Sequence, residues 1–345
     1  MTITICTTSP DIPDWVVDHA RTLGVTFHPL QSGQRASTVS EHRTAIQTAL
    51  GRETVAKLLD EIHPAGYLMN GPPDYGPYVD VELVSASPDL RLVTYFGDSF
   101  NPDLYAPFLD LDGLHEHGIT VTTTPGARQA VAEGTFALLL ALNLDLVRLN
   151  ASRKQGLHHS AGTRVGLENR TLGIAGMGQI GTRVAELGRA IGMNIAYTAQ
   201  SRKPEYEELL DARFLPLPDL FQASDYVTIH LPGETTDGLI DREILSRSTG
   251  LTLINTTTRP TVVDPLSLIE ALDDGRVARV AIEGTYPEPY DRQFQRYGDD
   301  RVLLLPAYTS WDTVQSIEAG WHAYLRTLEA FVKGGTVPNQ LRPRR

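Results

Sequence analysis

The sequence predicts an α/β protein built from two Rossmann-like domains, each with a doubly wound parallel sheet. Three observations predict this class. The chain has 345 residues, which is too long for one ordinary core and fits two domains. Short apolar segments typical of strands alternate with segments typical of helices along most of the chain. A glycine-rich segment, GMGQIG, follows one apolar segment and precedes a helix-like one.

The first domain is predicted to be discontinuous and to comprise residues 1–125 and 307–345. Its strand candidates are ITIC, AGYLMN, RLVTYFG and ITVTTT, and its helix candidates are DWVVDHARTL and TVAKLLDEI. A last helix, roughly residues 314–333, would return the chain to this domain. The alternation of strands and helices predicts a flavodoxin-like sheet covered by helices.

The second domain is predicted over residues 126–306. It starts with VAEGTFALLLALNLDLVRLNASRKQG, whose apolar positions fill most of a helical surface and predict one long, well-buried helix. The strand candidates TLGIAG, IAYTA, YVTIHL, LTLINTT, VARVAIEG and VLLLPA follow, with helix candidates between most of them. Strands separated by helices predict a parallel, doubly wound sheet.

The composition argues against several classes of protein. With 41% hydrophobic residues, 21% charged residues and no run of 18 apolar residues, the sequence predicts a soluble globular protein without a membrane span. A net charge of -12 argues against a general nucleic-acid binder. The segment MTITICTTSP lacks the pattern of a signal peptide, and the single cysteine, Cys6, suggests a reducing compartment, so we expect a cytoplasmic location. No histidine or cysteine spacing predicts a metal site.

The glycine-rich segment has the spacing of a phosphate-binding loop. Gly176, Gly178 and Gly181 form G-x-G-x-x-G after the strand candidate TLGIA and at the start of IGTRVAELGRAIG. The first glycine permits a tight turn, the second lets the backbone approach a pyrophosphate, and the third allows the helix to pack closely on the strand. Because N–H groups at the helix start would face the anion, this context predicts dinucleotide binding.

The end of the next strand bears on the choice of cofactor. A free ribose 2′-hydroxyl is usually held by an acidic residue about 20 positions after the loop. In IAYTAQSRKP that place is taken by Ala199 or Gln200, and Ser201, Arg202 and Lys203 follow. Cations at this point would suit a 2′-phosphate through charge-assisted hydrogen bonds. The pattern therefore favours NADP(H) over NAD(H).

Six ordered motifs resemble the D-2-hydroxyacid dehydrogenase family, which includes formate, glycerate and phosphite dehydrogenases. They are TPGARQAVAEGT, TLGIAGMGQIG, DYVTIHLPGETTDGLI, INTTTRPTVVD, VAIEGTYPEP and LLLPAYTSWDT, and the likeness runs from about Leu90 to Leu341. The resemblance implies a substrate domain, a cofactor domain and a homodimer formed through the helix near residues 131–150. It also implies cofactor positions beside the pyrophosphate, the ribose and the nicotinamide at Gln179, Ile180, His230, Leu231, Pro232, Thr236, Thr257, Thr258 and Glu283.

The same resemblance implies three catalytic positions. The family's anion-clamping Arg falls on Arg259 when counted back from the VVD of its motif, or on Thr258 when counted forward from the Asn. We prefer Arg259, because its planar, charged fork suits an oxyanion. The family's glutamate falls on Glu288. The proton-transfer histidine that follows a proline in the family is replaced here by Ala307.

Other departures from the family surround the same predicted site. The family's Gly-rich substrate loop reads YFGDSFN here, and substrate contacts are expected at Phe96 and Gly97. The family's acid–histidine step reads Glu133-Gly134, and its aspartate near the nicotinamide is the longer Glu283. Several changes at one site indicate a remodelled pocket.

Three functions remain open at this point. In the first, which we favour, the chain interconverts a small anionic 2-hydroxy or 2-oxo compound, and another group replaces the missing histidine. That group is Tyr308, Tyr286, or His158 and His159 from a neighbouring subunit; a Tyr would need a nearby cation such as Arg259. In the second, an oxidation needs no base, or the substrate brings its own proton relay. In the third, the chain binds the cofactor without turnover, as a redox sensor or an assembly partner.

Overall fold

A computed structural model describes residues 2–8, 12–30, 52–70, 78–97, 109–157, 164–231, 236–257, 260–306, 309–310 and 313–343. The chain divides into two compact units, Met1–Ala127 with Val314–Arg345, and Arg128–Thr313. These limits lie two and seven residues C-terminal to the predicted ones, which fall after residues 125 and 306. The first unit is therefore interrupted in sequence by the second.

The strands are β1 Ile3–Thr7, β2 Val25–Pro29, β3 Gly66–Asn70, β4 Leu92–Phe96, β5 Thr120–Thr123, β6 Thr171–Ala175, β7 Asn194–Thr198, β8 Arg213–Phe214, β9 Tyr226–Ile229, β10 Leu251–Asn255, β11 Val277–Glu283 and β12 Val302–Leu305. The helices are α1 Asp14–Thr22, α2 Arg52–Ile62, α3 Val81–Val84, α4 Leu111–Glu116, α5 Arg128–Leu144, α6 Leu146–Lys154, α7 Gln179–Ala190, α8 Pro204–Leu210, α9 Leu217–Ala223, α10 Arg242–Leu245, α11 Pro265–Asp273, α12 Tyr290–Phe294 and α13 Val314–Val332.

The first unit contains a parallel sheet in the strand order β2-β1-β3-β4-β5. This 2-1-3-4-5 order is that of flavodoxin-like folds. The sequence pattern does not predict β2, because VTFHP buries only Val25. At the opposite edge, the N–H of Thr123 donates to the carbonyl of Asn339 at 3.0 Å, and the N–H of Leu341 donates to that of Val121 at 2.9 Å. The segment after α13 thus covers the β5 edge.

Helices cover both faces of the first sheet. On one face Val55 and Leu59 of α2 join a buried cluster that includes Leu114 of α4. On the other face the buried side chains of α13, led by Trp321 and Tyr324, pack with β1 and α1. Since a parallel sheet must bury both of its faces, α13 completes the core of a unit whose strands lie far earlier in the chain.

The second unit contains a parallel sheet in the order β12-β11-β10-β9-β6-β7-β8. Numbered from β6, the first six strands lie in the order 3-2-1-4-5-6, and β12 is added next to β11. Chain direction across the sheet reverses between β6 and β9, so ligands are expected beyond the carboxyl ends of these two strands. The two parallel sheets confirm the predicted α/β class and the doubly wound architecture.

The predicted long helix at the start of the second unit is broken at Asp145. α5 and α6 are bent by 61° at this residue, which has a left-handed backbone with φ 55° and ψ 39°. Aspartate tolerates this conformation better than most residues do. Its carboxylate is buried and accepts a hydrogen bond from the Nε of Arg148 at 2.6 Å. The apolar pattern predicts continuous helix because it carries no signal for this local ion pair.

α5 and α6 differ in burial. α5 buries nine side chains, whereas α6 buries none. Among the residues that the structure describes, no single helix is long and apolar enough to cross a membrane. Only α5 and α6 taken together reach the required length and composition, and they are sharply bent.

Candidate active site

Many of the predicted cofactor residues gather at one edge of the second sheet. They follow the carboxyl ends of β7, β6, β9, β10 and β11, and they are Gln200 to Lys203, Gly176 to Gly181, His230 and Leu231, Thr257, and Glu283. Because the sheet is parallel, these ends lie side by side. Four strand spacings of roughly 4.8 Å separate β7 from β11, so the edge spans roughly 19 Å. An extended ligand laid along it would meet these residues in that order.

The glycine loop between β6 and α7 is tightly constrained at two of its glycines. Gly176 has φ +103°, and a Cβ there would lie 2.6 Å from the carbonyl oxygen of His230. A Cβ on Gly181 would lie 2.0 Å from the carbonyl oxygen of Gly176. The loop therefore packs against the end of β9. The start of α7 packs closely against the loop, in keeping with the close helix packing that the pattern predicts for the third glycine.

The middle glycine faces open space instead. A Cβ on Gly178 would have no heavy atom within 4 Å, and Gly178 immediately precedes α7 with φ -88° and ψ -160°. Gln179 is exposed and Ile180 is partly exposed. An anion placed here would face the first N–H groups of a 12-residue helix. The loop thus leaves the space, and offers the donors, that the pyrophosphate of a dinucleotide requires.

His230 closes the loop from the side of β9. Its N–H donates to the carbonyl of Ala175 at 2.7 Å, and its Nε2 lies 3.1 Å from the hydroxyl oxygen of Thr228. Burial lowers the pKa of His230 to about 4, so the imidazole is neutral at physiological pH. Leu231 packs on the core below, and the carbonyl of Thr236 accepts a hydrogen bond from the N–H of Leu239 at 2.9 Å.

The lowered pKa of His230 predicts a loss of stability in acid. The unfolded chain binds a proton at His230 below its ordinary pKa of about 6.5, whereas the folded chain does so only near pH 4. We expect the contribution of neutral His230 to the free energy of unfolding to be complete above pH 6.5. It should be lost as the pH falls towards 4, and the loss should be at most roughly 3 kcal/mol. Urea unfolding of the wild type and of His230→Gln at pH 7 and pH 4.5 measures it; a variant with the same pH dependence as the wild type would contradict the expectation.

A buried amide orders the turn after β10. Asn255 is fully buried; its Oδ1 accepts from the Oγ1 of Thr257 at 2.7 Å, and its Nδ2 donates to the carbonyl of Pro260 at 3.0 Å. The hydroxyls of Thr256 and Thr135 lie 3.0 Å apart, which ties this turn to α5. Asn255 was not among the residues predicted for the site. An Asn at the end of an apolar strand is the signal that could have identified this role.

Glu283, the last residue of β11, is 3% exposed. One carboxylate oxygen accepts from the N–H of Ser310 at 3.2 Å, and the other accepts from the Ser310 hydroxyl. Ser310 was not among the predicted site residues. It lies far from β11 in sequence, so only the folded chain shows the contact.

The predicted 2′-phosphate residues form a hydrogen-bonded cluster after β7. The Nε of Arg202 donates to Oε1 of Glu207 at 3.0 Å, and the same oxygen accepts from the hydroxyl of Tyr197 at 2.7 Å. The Tyr197 hydroxyl in turn accepts from the N–H of Lys203 at 2.6 Å. Hydrogen bonding to Arg202 lowers the pKa of Glu207. The Arg202 side chain remains 65% exposed, and Gln200 and Ser201 are exposed beside it.

The predicted catalytic glutamate and one alternative base have opposite environments. The Glu288 side chain is 60% exposed and lies 3.6 Å from the Nε of Arg292. Tyr286 is 3% exposed and packs against Phe294, with ring centroids 5.0 Å apart. Burial raises the pKa of Tyr286 further above its usual range. Tyr286 is therefore a core residue and a poor acid–base group, whereas Glu288 is accessible.

The predicted substrate contacts Phe96 and Gly97 lie in the first unit. The Phe96 ring packs against Trp321 with centroids 4.5 Å apart, and a Cβ on Gly320 would lie 2.9 Å from it. The N–H of Gly97 donates to the hydroxyl of Thr124 at 3.0 Å. In the structure Phe96 contributes to packing, and Gly97 forms a backbone hydrogen bond at the end of β4. Their contact with a substrate stays a prediction.

Several predicted site residues lie outside the described residues. They are His158, His159, Pro232, Thr258, Arg259, Ala307 and Tyr308. In the remaining part of the chain, no group of three or more His, Cys, Asp or Glu side chains is arranged to hold a metal ion.

Comparisons with known proteins place this geometry in a family. Residues 136–307 match the D-isomer specific 2-hydroxyacid dehydrogenase, NAD binding domain family. The chain is 34% identical over 271 residues to a glyoxylate reductase of Aeropyrum pernix, which covers 76% of this chain and 79% of that protein.

Two solved structures have the same fold as the whole chain. The D-mandelate dehydrogenase of Rhodotorula graminis has a TM-score of 0.79 and 17% identity, and the match covers 100% of this chain and 99% of that one. An acyclic imino acid reductase solved with NADPH and D-Arg has a TM-score of 0.75 and 20% identity, with 99% of each chain covered.

The strand order of the second sheet and the glycine loop at its point of reversal define a dinucleotide-binding α/β protein. The likeness to the Aeropyrum protein over three quarters of the sequence narrows this class to one family. The chain belongs to the D-isomer specific 2-hydroxyacid dehydrogenases, a family of oxidoreductases, as the sequence motifs predict.

Proposed function

We propose that the protein is an NAD(P)-dependent oxidoreductase that interconverts a small anionic 2-hydroxy compound and its 2-oxo counterpart. The observation that carries the proposal is the glycine loop, which meets an open space at the one place where the strand order of the sheet reverses. The relatives named glyoxylate reductase support a 2-oxo acid as the acceptor. The cofactor, when bound, supplies or takes up the hydride.

The chain's own residues bind the substrate and handle the proton. Arg259 binds the anionic group of the substrate through its guanidinium fork; Thr258 is the alternative at this position. Glu288 polarises the reacting oxygen or relays a proton, and its exposed carboxylate supports such a role. Hydride transfer needs mainly a well-aligned carbonyl or alcohol, so turnover is compatible with Ala307.

The group that replaces the family's histidine is proposed to be Tyr308, beside Ala307 in sequence. Burial of Tyr286 in the core disfavours that alternative. His158 and His159 are a further source of an imidazole. A substrate that carries its own proton also fits Ala307, and a protein that binds the cofactor without turnover is the second candidate function.

The proposal is tested by titrating the purified protein with NADPH and NADH and then following absorbance at saturating cofactor with a panel of 2-oxo acids, glyoxylate included. We expect slow but measurable reduction, and an increase of at least tenfold in the KM of the acid for Arg259→Ala. Arg247→Ala, which removes an exposed arginine elsewhere in the same unit, is the control. Tight cofactor binding without turnover of any 2-oxo or 2-hydroxy acid would establish the second candidate instead.

NADP(H) is proposed as the preferred cofactor. The support is the cluster after β7, where Glu207 holds one side of the Arg202 guanidinium and leaves the other side exposed. The 2′-phosphate would add charge-assisted hydrogen bonds there, and Ser201 and Lys203 flank the same place.

Arg202→Ala is expected to lower the ratio of NADPH affinity to NADH affinity by about 10- to 100-fold, because NADPH carries the 2′-phosphate that would lose a charged partner and NADH does not. Fluorescence titration with both cofactors measures the ratio. Arg189→Ala, which removes an exposed arginine at the far end of α7, should leave it unchanged. A ratio that stays the same in Arg202→Ala means that the cluster does not select the cofactor.

A homodimer is proposed to form through α5 and α6. Four apolar side chains around the bend are exposed, with Leu140 and Val147 at 40%, Leu144 at 46% and Leu146 at 55%. Several large apolar side chains exposed close together in sequence are typical of a protein interface. No nucleic acid or membrane is proposed as a partner, and the proposed location is the cytoplasm, supported by the composition.

Leu146→Glu is expected to convert the dimer into a monomer at micromolar concentration, because the new carboxylate would be buried without a partner in the interface. Size-exclusion chromatography with light scattering measures the mass. Leu209→Glu, at the more exposed Leu209 on α8, is the matched control and should remain a dimer. A wild-type protein of monomer mass would overturn the proposal.

A further inference from the structure

Three residues distant in sequence meet at the carboxyl end of β11. The Ser310 backbone N–H and hydroxyl each donate to a different oxygen of the Glu283 carboxylate. Gly134 of α5 lies against the same serine, and a Cβ on Gly134 would be 2.1 Å from the Ser310 hydroxyl oxygen and 2.4 Å from its Cβ. Glu283 and Ser310 are 3% and 6% exposed. The hydroxyl can bind Glu283 only because position 134 has no side chain.

This contact joins two departures that the sequence shows separately. The glutamate at 283 is one methylene longer than the family's aspartate, and Gly134 is smaller than the histidine of the family's motif. Ser310 lies in the space left by the absent side chain at 134 and holds the longer acid there. A side chain added at position 134 would displace Ser310 and so break its hydrogen bonds to Glu283.

The remaining lone pairs of Glu283 suit a neutral donor. A carboxylate offers about four acceptor sites, and Ser310 uses one on each oxygen. Glu283 lies three strands from the phosphate loop, at roughly 14 Å by strand spacing, along the edge where an extended dinucleotide would run. The hydrogen-bonding group of a nicotinamide ring is its primary amide, whose NH₂ can donate to such an oxygen.

We propose that Ser310 is a positioning residue that holds Glu283 as the acceptor for the NH₂ of the cofactor's carboxamide, and that Gly134 provides the space for it. The inference rests on the proposed function, because it requires a nicotinamide cofactor. Ser310 acts through Glu283: its two hydrogen bonds fix the carboxylate, so the ring is bound in one orientation.

The test compares a natural cofactor with one that lacks the donor. Full-length protein is titrated by fluorescence with NAD(P)H and with its 3-acetylpyridine analogue, in which a methyl group replaces the amide NH₂. We expect the wild type to bind the natural cofactor about tenfold more tightly than the analogue. Ser310→Ala should lower this ratio at least threefold and leave the affinity for the analogue unchanged. A substitution that only destabilised the fold would weaken the binding of both ligands equally.

Two further variants keep the test decisive. Thr309→Ala, which removes a neighbouring hydroxyl bonded to the carbonyl of Pro306, should keep the wild-type ratio. Glu283→Gln, nearly equal in shape, should lower the ratio as Ser310→Ala does, and the double variant should lower it no further. An unchanged ratio in Ser310→Ala, or in Glu283→Gln where the serine variant fails to fold, overturns the inference. A wild type that binds neither cofactor would overturn the proposed function instead.

Discussion

Ala307→His is expected to raise the rate of 2-oxo acid reduction by about 10²–10⁴-fold, the contribution of a positioned acid–base group. The family keeps its proton-transfer histidine after a proline, and this sequence has Pro306-Ala307 at that place. A restored imidazole would donate the proton as hydride reaches the carbonyl carbon, with Glu288 as its partner. The kcat of the variant, measured from pH 5 to pH 9, should also fall as the pH rises through the pKa of the new histidine, about 6.5, because only the protonated imidazole donates.

The matched control for this change is Ala307→Gln, which adds a side chain of similar reach without a titratable proton. If Ala307→His is no faster than Ala307→Gln, the proton comes from another group and the alignment of Ala307 with the family's histidine is wrong. Tyr308→Phe then separates the remaining possibilities. A large loss of kcat with unchanged cofactor affinity would identify Tyr308 as that group.

Gly178→Ala is expected to abolish most cofactor binding and leave the fold intact. A Cβ at this position meets no heavy atom within 4 Å, and φ is -88°, so alanine is tolerated by the protein itself. The methyl group would nevertheless occupy the space through which a pyrophosphate reaches the start of α7. We expect the Kd for NAD(P)H to rise at least 30-fold, an order-of-magnitude expectation for lost hydrogen bonds to a charged group.

Gly166→Ala provides the comparison, because a Cβ there also meets nothing within 4 Å, but outside the glycine loop. Thermal unfolding should give the same Tm for both variants within a few degrees. Equal cofactor affinity in the two variants would show that the open space at Gly178 is not the phosphate site.

Local signals in the sequence were sufficient for most of the second unit. The glycine loop, the strands around it and the acidic end of β11 were all predicted, because each depends on a few neighbouring residues. The prediction of one long helix was wrong, because the chain is interrupted at Asp145, whose left-handed backbone accompanies an ion pair with Arg148. β2 and the segment that pairs with β5 carry almost no apolar pattern, and only the finished sheet gives them their place.

The candidate site divides in the same way. Positions that carry a motif, such as Gly176 and His230, could be predicted as cofactor positions one residue at a time. The contact between Gly134, Glu283 and Ser310 could not, because each residue is ordinary in its own segment and the three meet only after folding. Tyr286 shows the converse, for it was predicted as an alternative to the missing histidine, whereas its side chain is buried in the core.

The place of α13 in the chain has a consequence for synthesis. Trp321, Tyr324 and Leu328 cover one face of a sheet whose strands all precede residue 127. While the ribosome is still translating the second unit, α1 covers only part of that face, and the apolar side chains that α13 will bury are open to aggregation or to chaperones. The later unit is therefore the first able to close its core, and the earlier one must wait until α13 has left the exit tunnel.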